Sequence, residues 1–141
     1  MSALNKQFAE LTEAHAEFIE IANQLDPEKR FQPGVCGEWS PKDVVAHLVG
    51  WDALLLAFII DADNFTPPDD IDQFNQQSVA NCTHLGWPEV LQEMADTFYH
   101  LQRAMGTVTP ERSTHDRVLS WLAGRTEDYA LHQTHIADWV P

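Results

Sequence analysis

Residues 37–60 read GEWSPKDVVAHLVGWDALLLAFII, and this stretch decides the fold. Ser40 is a natural N-cap, Pro41 suits the first helical position because its fixed φ and missing N–H cost nothing there, and Asp43 completes a reciprocal capping box. Trp39 and Val44 flank the cap as a hydrophobic staple. At about 100° per residue, Val44, Trp51, Leu54 and Phe58 all fall within roughly 60° of His47. The pattern predicts a helix from Pro41 to about Ala62, before Pro67 and Pro68 intervene. It also places an imidazole, His47, in the middle of an apolar face.

The flanking sequence repeats the helical period. Leu4, Phe8, Leu11, Phe18, Ala22 and Leu25 recur at spacings that mark one face of a long helix over Ala3–Leu25, with His15 near its centre. Pro27, Pro33, Gly34 and Gly37 break the pattern into a loop. Asp70–Cys82 predicts a short polar helix with Ile71, Phe74, Ser78 and Val79 inward. Trp87–Met105 carries Val90, Met94, Phe98, Leu101 and Met105 on one side, and Gly106 closes it. Thr107–Asp116 reads as a polar loop. Val118–Trp121 then leads through Gly124 into a last helix near Thr126–Trp139. The expectation is an all-α antiparallel four-helix bundle, with an extra short helix between helices two and three, in a single domain over residues 1–141.

Composition narrows the partners. The chain has 141 residues, 44% hydrophobic and 21% charged, which suits one globular domain. Eight Lys plus Arg against 22 Asp plus Glu give a net charge of −14, which repels phosphate backbones and anionic lipid and argues against nucleic acid and membrane surfaces as partners. The longest uninterrupted apolar run, Ala53–Ile60, is eight residues, so no membrane span is expected. The first residues, MSALNKQFAELTEAH, do not read as a secretory signal, and a cytoplasmic location is expected. Cys36 and Cys82 form no CxxC pair, so neither a disulfide framework nor a thiolate zinc site is indicated.

The chemistry concentrates on inward polar residues. His132 shares a face with Tyr129, Ile136 and Trp139, and Asp128 lies one turn earlier, about 40° around. Asp128 and His132 therefore project side by side. Facing helices are the usual source of ligands in a bundle. His47, Asp128 and His132 form a two-histidine, one-carboxylate candidate set for a divalent transition metal with open positions. The competing reading is a core histidine bonded to a carbonyl or a tyrosine. His135, about 60° round from His132, is open to reading as a substitute ligand, a support for a ligand or a surface residue, with the last two favoured, and His15 as a supporting or structural one. Tyr129 and His135 are candidates for orienting a substrate or for supporting the ligands. Cys36 lacks a histidine base beside it in sequence, so a structural or incidental role is the better reading. The five tryptophans read as core and helix-end packing rather than an aromatic cage.

The segments GEWSPKDVVAHLVGWD and TEDYALHQTHIADW together resemble the DinB-like superfamily, in particular its ClbS/DfsB branch and the mycothiol-dependent maleylpyruvate isomerase N-terminal domain. The likeness spans nearly the whole chain and is most specific over Trp39–His47 and Asp128–His132. It implies a four-helix bundle with a divalent metal held by His47, Asp128 and His132. Asp128 stands where such proteins more often carry His or Glu. The resemblance further implies a homodimer and an enzyme, using Zn or Ni, that activates water or a low-molecular-weight thiol against an electrophilic small molecule. The alternative it leaves open is a non-catalytic small-molecule binding or protective module with a degenerate metal site.

Overall fold

Ser40 and Asp43 close the predicted capping box. The Ser40 N–H donates to Asp43 Oδ2 at 3.0 Å, and the Asp43 N–H donates to Ser40 Oγ at 3.2 Å. Two donors that a helix start leaves orphaned are thereby satisfied, and the helix α2 runs from there over Pro41–Ile60. The structure, a computed structural model, describes residues 1–141. The other helices are α1 (Ala3–Gln24), α3 (Ile71–Asn81), α4 (Trp87–Met105) and α5 (His115–Ala137), with single 3₁₀ turns at Pro27–Lys29 and Ala62–Asn64. There is no β-strand, only an isolated bridge between Cys36 and Trp39. The all-α fold expected from periodicity is the fold observed.

The chain divides into two compact units, one formed by Met1–Val44 and Leu119–Pro141, the other by Val45–Val118. In the first, α1 buries Leu4, Leu11, Ala14, Phe18 and Ala22, while the later part of α5 buries Leu122, Tyr129, His132 and Ile136. The Tyr129 ring meets Phe18 edge-on, with centroids 5.6 Å apart. In the second, Val45, Leu48, Leu55 and Phe58 of α2 are buried, as are Val90, Met94 and Leu101 of α4. Burial of each such side chain contributes about 1.5–3 kcal/mol. Arg112 closes the end of α2 by donating to the Ile59 carbonyl.

Within the second unit α2 and α3 approach closely at Gly50. A Cβ there would stand 2.1 Å from Ser78 Oγ and 2.6 Å from Ser78 Cβ, so only hydrogen fits. Ser78 is itself buried and bonds back to the Phe74 carbonyl at 3.0 Å.

Three expectations need correction. The last helix begins at His115 rather than near Thr126, and it runs straight through Gly124. A glycine costs a helix only about 1 kcal/mol against alanine, less than the burial of Val118 and Leu122 on that helix returns. Ile71 points outward and is 58% exposed, because the first turn of α3 is set by its Asp70 cap and not by apolar contact. Finally, α2 is long and apolar enough to cross a membrane by length and composition, with a mean hydropathy of 1.9, although 56% of that window is buried inside the protein. Counting only uninterrupted apolar residues misses this, since His47, Gly50 and Asp52 split the run.

Gly50→Ala should destabilise the protein by about 1–3 kcal/mol, the cost of overpacking a close contact. Combining it with Ser78→Gly should recover most of that loss in urea denaturation; additive effects instead would show that the two positions do not press on each other.

Candidate metal centre

In the second unit, His47 is 6% exposed and lies within α2. Its Nδ1 stands 3.1 Å from Asn75 Oδ1, and the same oxygen lies 2.7 Å from Trp51 Nε1. An indole N–H can only donate, so the Asn75 atom facing it is the carbonyl oxygen. That oxygen can only accept, so His47 Nδ1 carries a proton and Nε2 carries the lone pair in the neutral ring. Phe74 steadies Trp51, with ring centroids 4.8 Å apart at 67°. A polar triad built on α2 and α3 thus fixes the tautomer of one buried imidazole.

In the first unit, Asp128 and His132 project from successive turns of α5, as their i, i+4 spacing predicts. Asp128 Oδ1 is 3.2 Å from His132 Nε2, while Asp128 Oδ2 accepts from Arg125 at 2.6 Å. Arg125 is 3% exposed, and its guanidinium also lies over the Tyr129 ring at 5.4 Å. The carboxylate is therefore divided: one oxygen neutralises a buried cation and the other faces an imidazole. His132 Nδ1 points the opposite way and lies 3.3 Å from His135 Nδ1. Burial holds the His135 pKa below the ordinary histidine value, and the neighbouring His132 lowers it further.

Tyr129, a candidate for orienting a substrate or supporting the ligands, packs in the core. It is fully buried, with its ring edge-on to His15 at 5.4 Å and to Phe18 at 5.6 Å. His15 is accordingly a packing partner of Tyr129.

Cys36 is nearer to this chemistry than its sequence neighbours suggest. The Trp39 N–H bonds to the Cys36 carbonyl at 3.0 Å, and Gly34 and Val35 both donate to the Trp39 carbonyl. The turn needs left-handed backbone at Gly37, where φ is 57°. It presents the Cys36 thiol toward α5: Cys36, His132 and His135 each offer one ligand atom, all within 4.8 Å of one another. Burial raises the Cys36 pKa, and the negative charge of Asp128 raises it further, so the thiol is not a pre-activated thiolate.

The sequence profile of the mycothiol maleylpyruvate isomerase N-terminal domain matches residues 11–137. The chain belongs to that family. No curated protein matches it. Among solved structures, an uncharacterised protein from Escherichia coli UTI89 superposes with a TM-score of 0.78 over 96% of this chain and 91% of the other, at 16% identity, a likeness of fold. The mycothiol maleylpyruvate isomerase N-terminal fold thus brings together Asp128 and His132 of the expected ligands, and holds His47 in a tautomer with its lone pair on Nε2.

Two residues of this site went unnoticed in the sequence. Asn75 sits in the polar run DQFNQQ, where no period singles it out. Arg125 stands three residues before Asp128, an i, i+3 spacing that does signal an ion pair once Asp128 is placed inward. Asn75→Leu should leave the His47 and Trp51 N–H groups without their shared acceptor and cost about 1–3 kcal/mol. Long-range ¹H–¹⁵N spectra should show the His47 ring protonated at Nδ1 in the parent and mixed in the variant; an Nε2-protonated ring in the parent would refute the tautomer assignment.

Proposed function

We propose that the protein is a metal-dependent enzyme in which His47, Asp128 and His132 hold a divalent transition ion, Zn²⁺ or Ni²⁺, for attack by water or a low-molecular-weight thiol on an electrophilic small molecule. The observation that carries this reading is the 3.2 Å separation of Asp128 Oδ1 from His132 Nε2. Ligand distances of about 2.0–2.2 Å in tetrahedral geometry place neighbouring donor atoms about 3.3–3.5 Å apart. The pair is close to that spacing, and oxygen and imidazole donors together suit these cations.

The chain's own residues prepare the donors. Asn75 retains the proton on His47 Nδ1, which leaves Nε2 as the donor atom, the arrangement usual for metal-ligating histidines. Arg125 occupies Asp128 Oδ2 and restricts the carboxylate to one-point ligation through Oδ1. The shorter reach of aspartate is offset by this fixed orientation. Tyr129, locked between His15 and Phe18, holds the turn of α5 that carries both ligands. Such an ion, when bound, lowers the pKa of a ligated water or thiol and polarises an electrophile. Membership of a family named for a mycothiol-linked isomerase supports the thiol as co-reactant.

The test uses Cys36→Ser protein, purified without a histidine tag, so that the partly exposed thiol contributes nothing. It should carry about one equivalent of metal by elemental mass spectrometry. After chelation, Zn²⁺ or Ni²⁺ at a hundred times its Kd should stabilise it by about 2.7 kcal/mol. Adding His47→Ala should abolish that gain. Protein with no ion above background and no stabilisation on adding either metal would sink the proposal.

A further inference from the structure

His132 has a second ring nitrogen, and around it lie two donors outside the ligand set above, Cys36 and His135. His132 Nε2 faces Asp128, but His132 Nδ1 faces His135 Nδ1 across 3.3 Å. As a hydrogen bond this contact lies beyond the usual 2.7–3.2 Å range. As the edge of a tetrahedron around an ion with metal–nitrogen distances of about 2.0–2.1 Å it is the expected length, about 3.3–3.4 Å. The Cys36 thiol completes a group whose ligand atoms all lie within 4.8 Å, against about 3.6 Å for sulfur and nitrogen on one tetrahedral ion.

The supports are built in. His132 is 4% exposed and sits on the rigid face of α5. Cys36 is carried on a turn fixed at both sides, by the Trp39-to-Cys36 bond and by Gly34, whose φ is 112°. A Cβ on Gly34 would meet the Trp139 ring at 3.3 Å, so the indole lies against this turn. Trp139 Nε1 in turn bonds to the Lys29 carbonyl at 3.3 Å. Thiolate and imidazole donors without a carboxylate select borderline or soft cations over Mg²⁺ or Ca²⁺.

We propose that Cys36, His132 and His135 form a second cation seat, which takes Zn²⁺ or a similar borderline ion through one thiolate and two imidazole nitrogens and leaves a fourth position to water. On binding, the Cys36 S–H bond breaks, its proton passes to solvent, and the sulfur lone pair forms the bond to the ion. His47 and Asp128 take no part, but His132 is common to both sets. A neutral imidazole has one lone pair, so this seat keeps the proton on Nε2, facing Asp128, and is an alternative to ligation through Nε2. His47→Ala removes only the first set.

The full-length protein, freed of metal by chelation, is titrated with Co²⁺. The parent should develop a sulfur-to-cobalt charge-transfer band in the near ultraviolet. Cys36→Ser should lose it, and His135→Ala should weaken binding by about tenfold or more, since loss of even an outer partner of a ligand costs about 10–100-fold. His47→Ala should retain the band, as should Cys82→Ser. No band in the parent, a band that survives Cys36→Ser, or one that disappears with His47→Ala would each overturn the assignment. Unchanged helical circular dichroism in Cys36→Ser, whose side chain is in a loop, separates loss of a ligand from loss of the fold.

Discussion

The carboxylate of Asp128 is the point on which the first compact unit turns. Arg125 is nearly inaccessible to water, and a guanidinium in that position needs an anion within reach. Asp128 supplies it through Oδ2 and still presents Oδ1 to His132. One side chain thereby pairs with a buried cation and with an imidazole on the next turn of α5. The position of the Asp128 carboxylate is set by this ion pair rather than by its own rotamer freedom.

The second unit follows the same logic with neutral groups. Asn75 Oδ1 accepts from both Trp51 and His47, so packing of an aromatic pair and protonation of an imidazole are fixed by one oxygen. In each unit a residue proposed as a ligand is oriented by a neighbour, Asn75 or Arg125, that is not itself a proposed ligand. Such outer partners decide which atom of a histidine or aspartate meets a cation.

Local rules were legible in the letters, and distant pairings were not. The capping box at Ser40 and Asp43, the limits of α4 and the adjacency of Asp128 to His132 all depend on spacings of three or four residues. Those spacings survive whatever the rest of the chain does. Gly124 misled because propensity is a small local cost and burial along α5 is a larger tertiary gain. Ile71 misled because a three-turn polar helix has too few apolar positions to fix its rotation. Asn75 and Cys36 were out of reach for another reason: their partners, His47 in one case and His132 with His135 in the other, come from different helices, and no period in the sequence links them.

The bond from Trp139 Nε1 to the Lys29 carbonyl joins positions 110 residues apart in the chain. Contacts of such long range close late, because the entropy of bringing distant segments together has to be met first. The turn that carries Cys36 lies under that indole, so a bond between the two segments of the first unit also backs the turn on which the thiol sits.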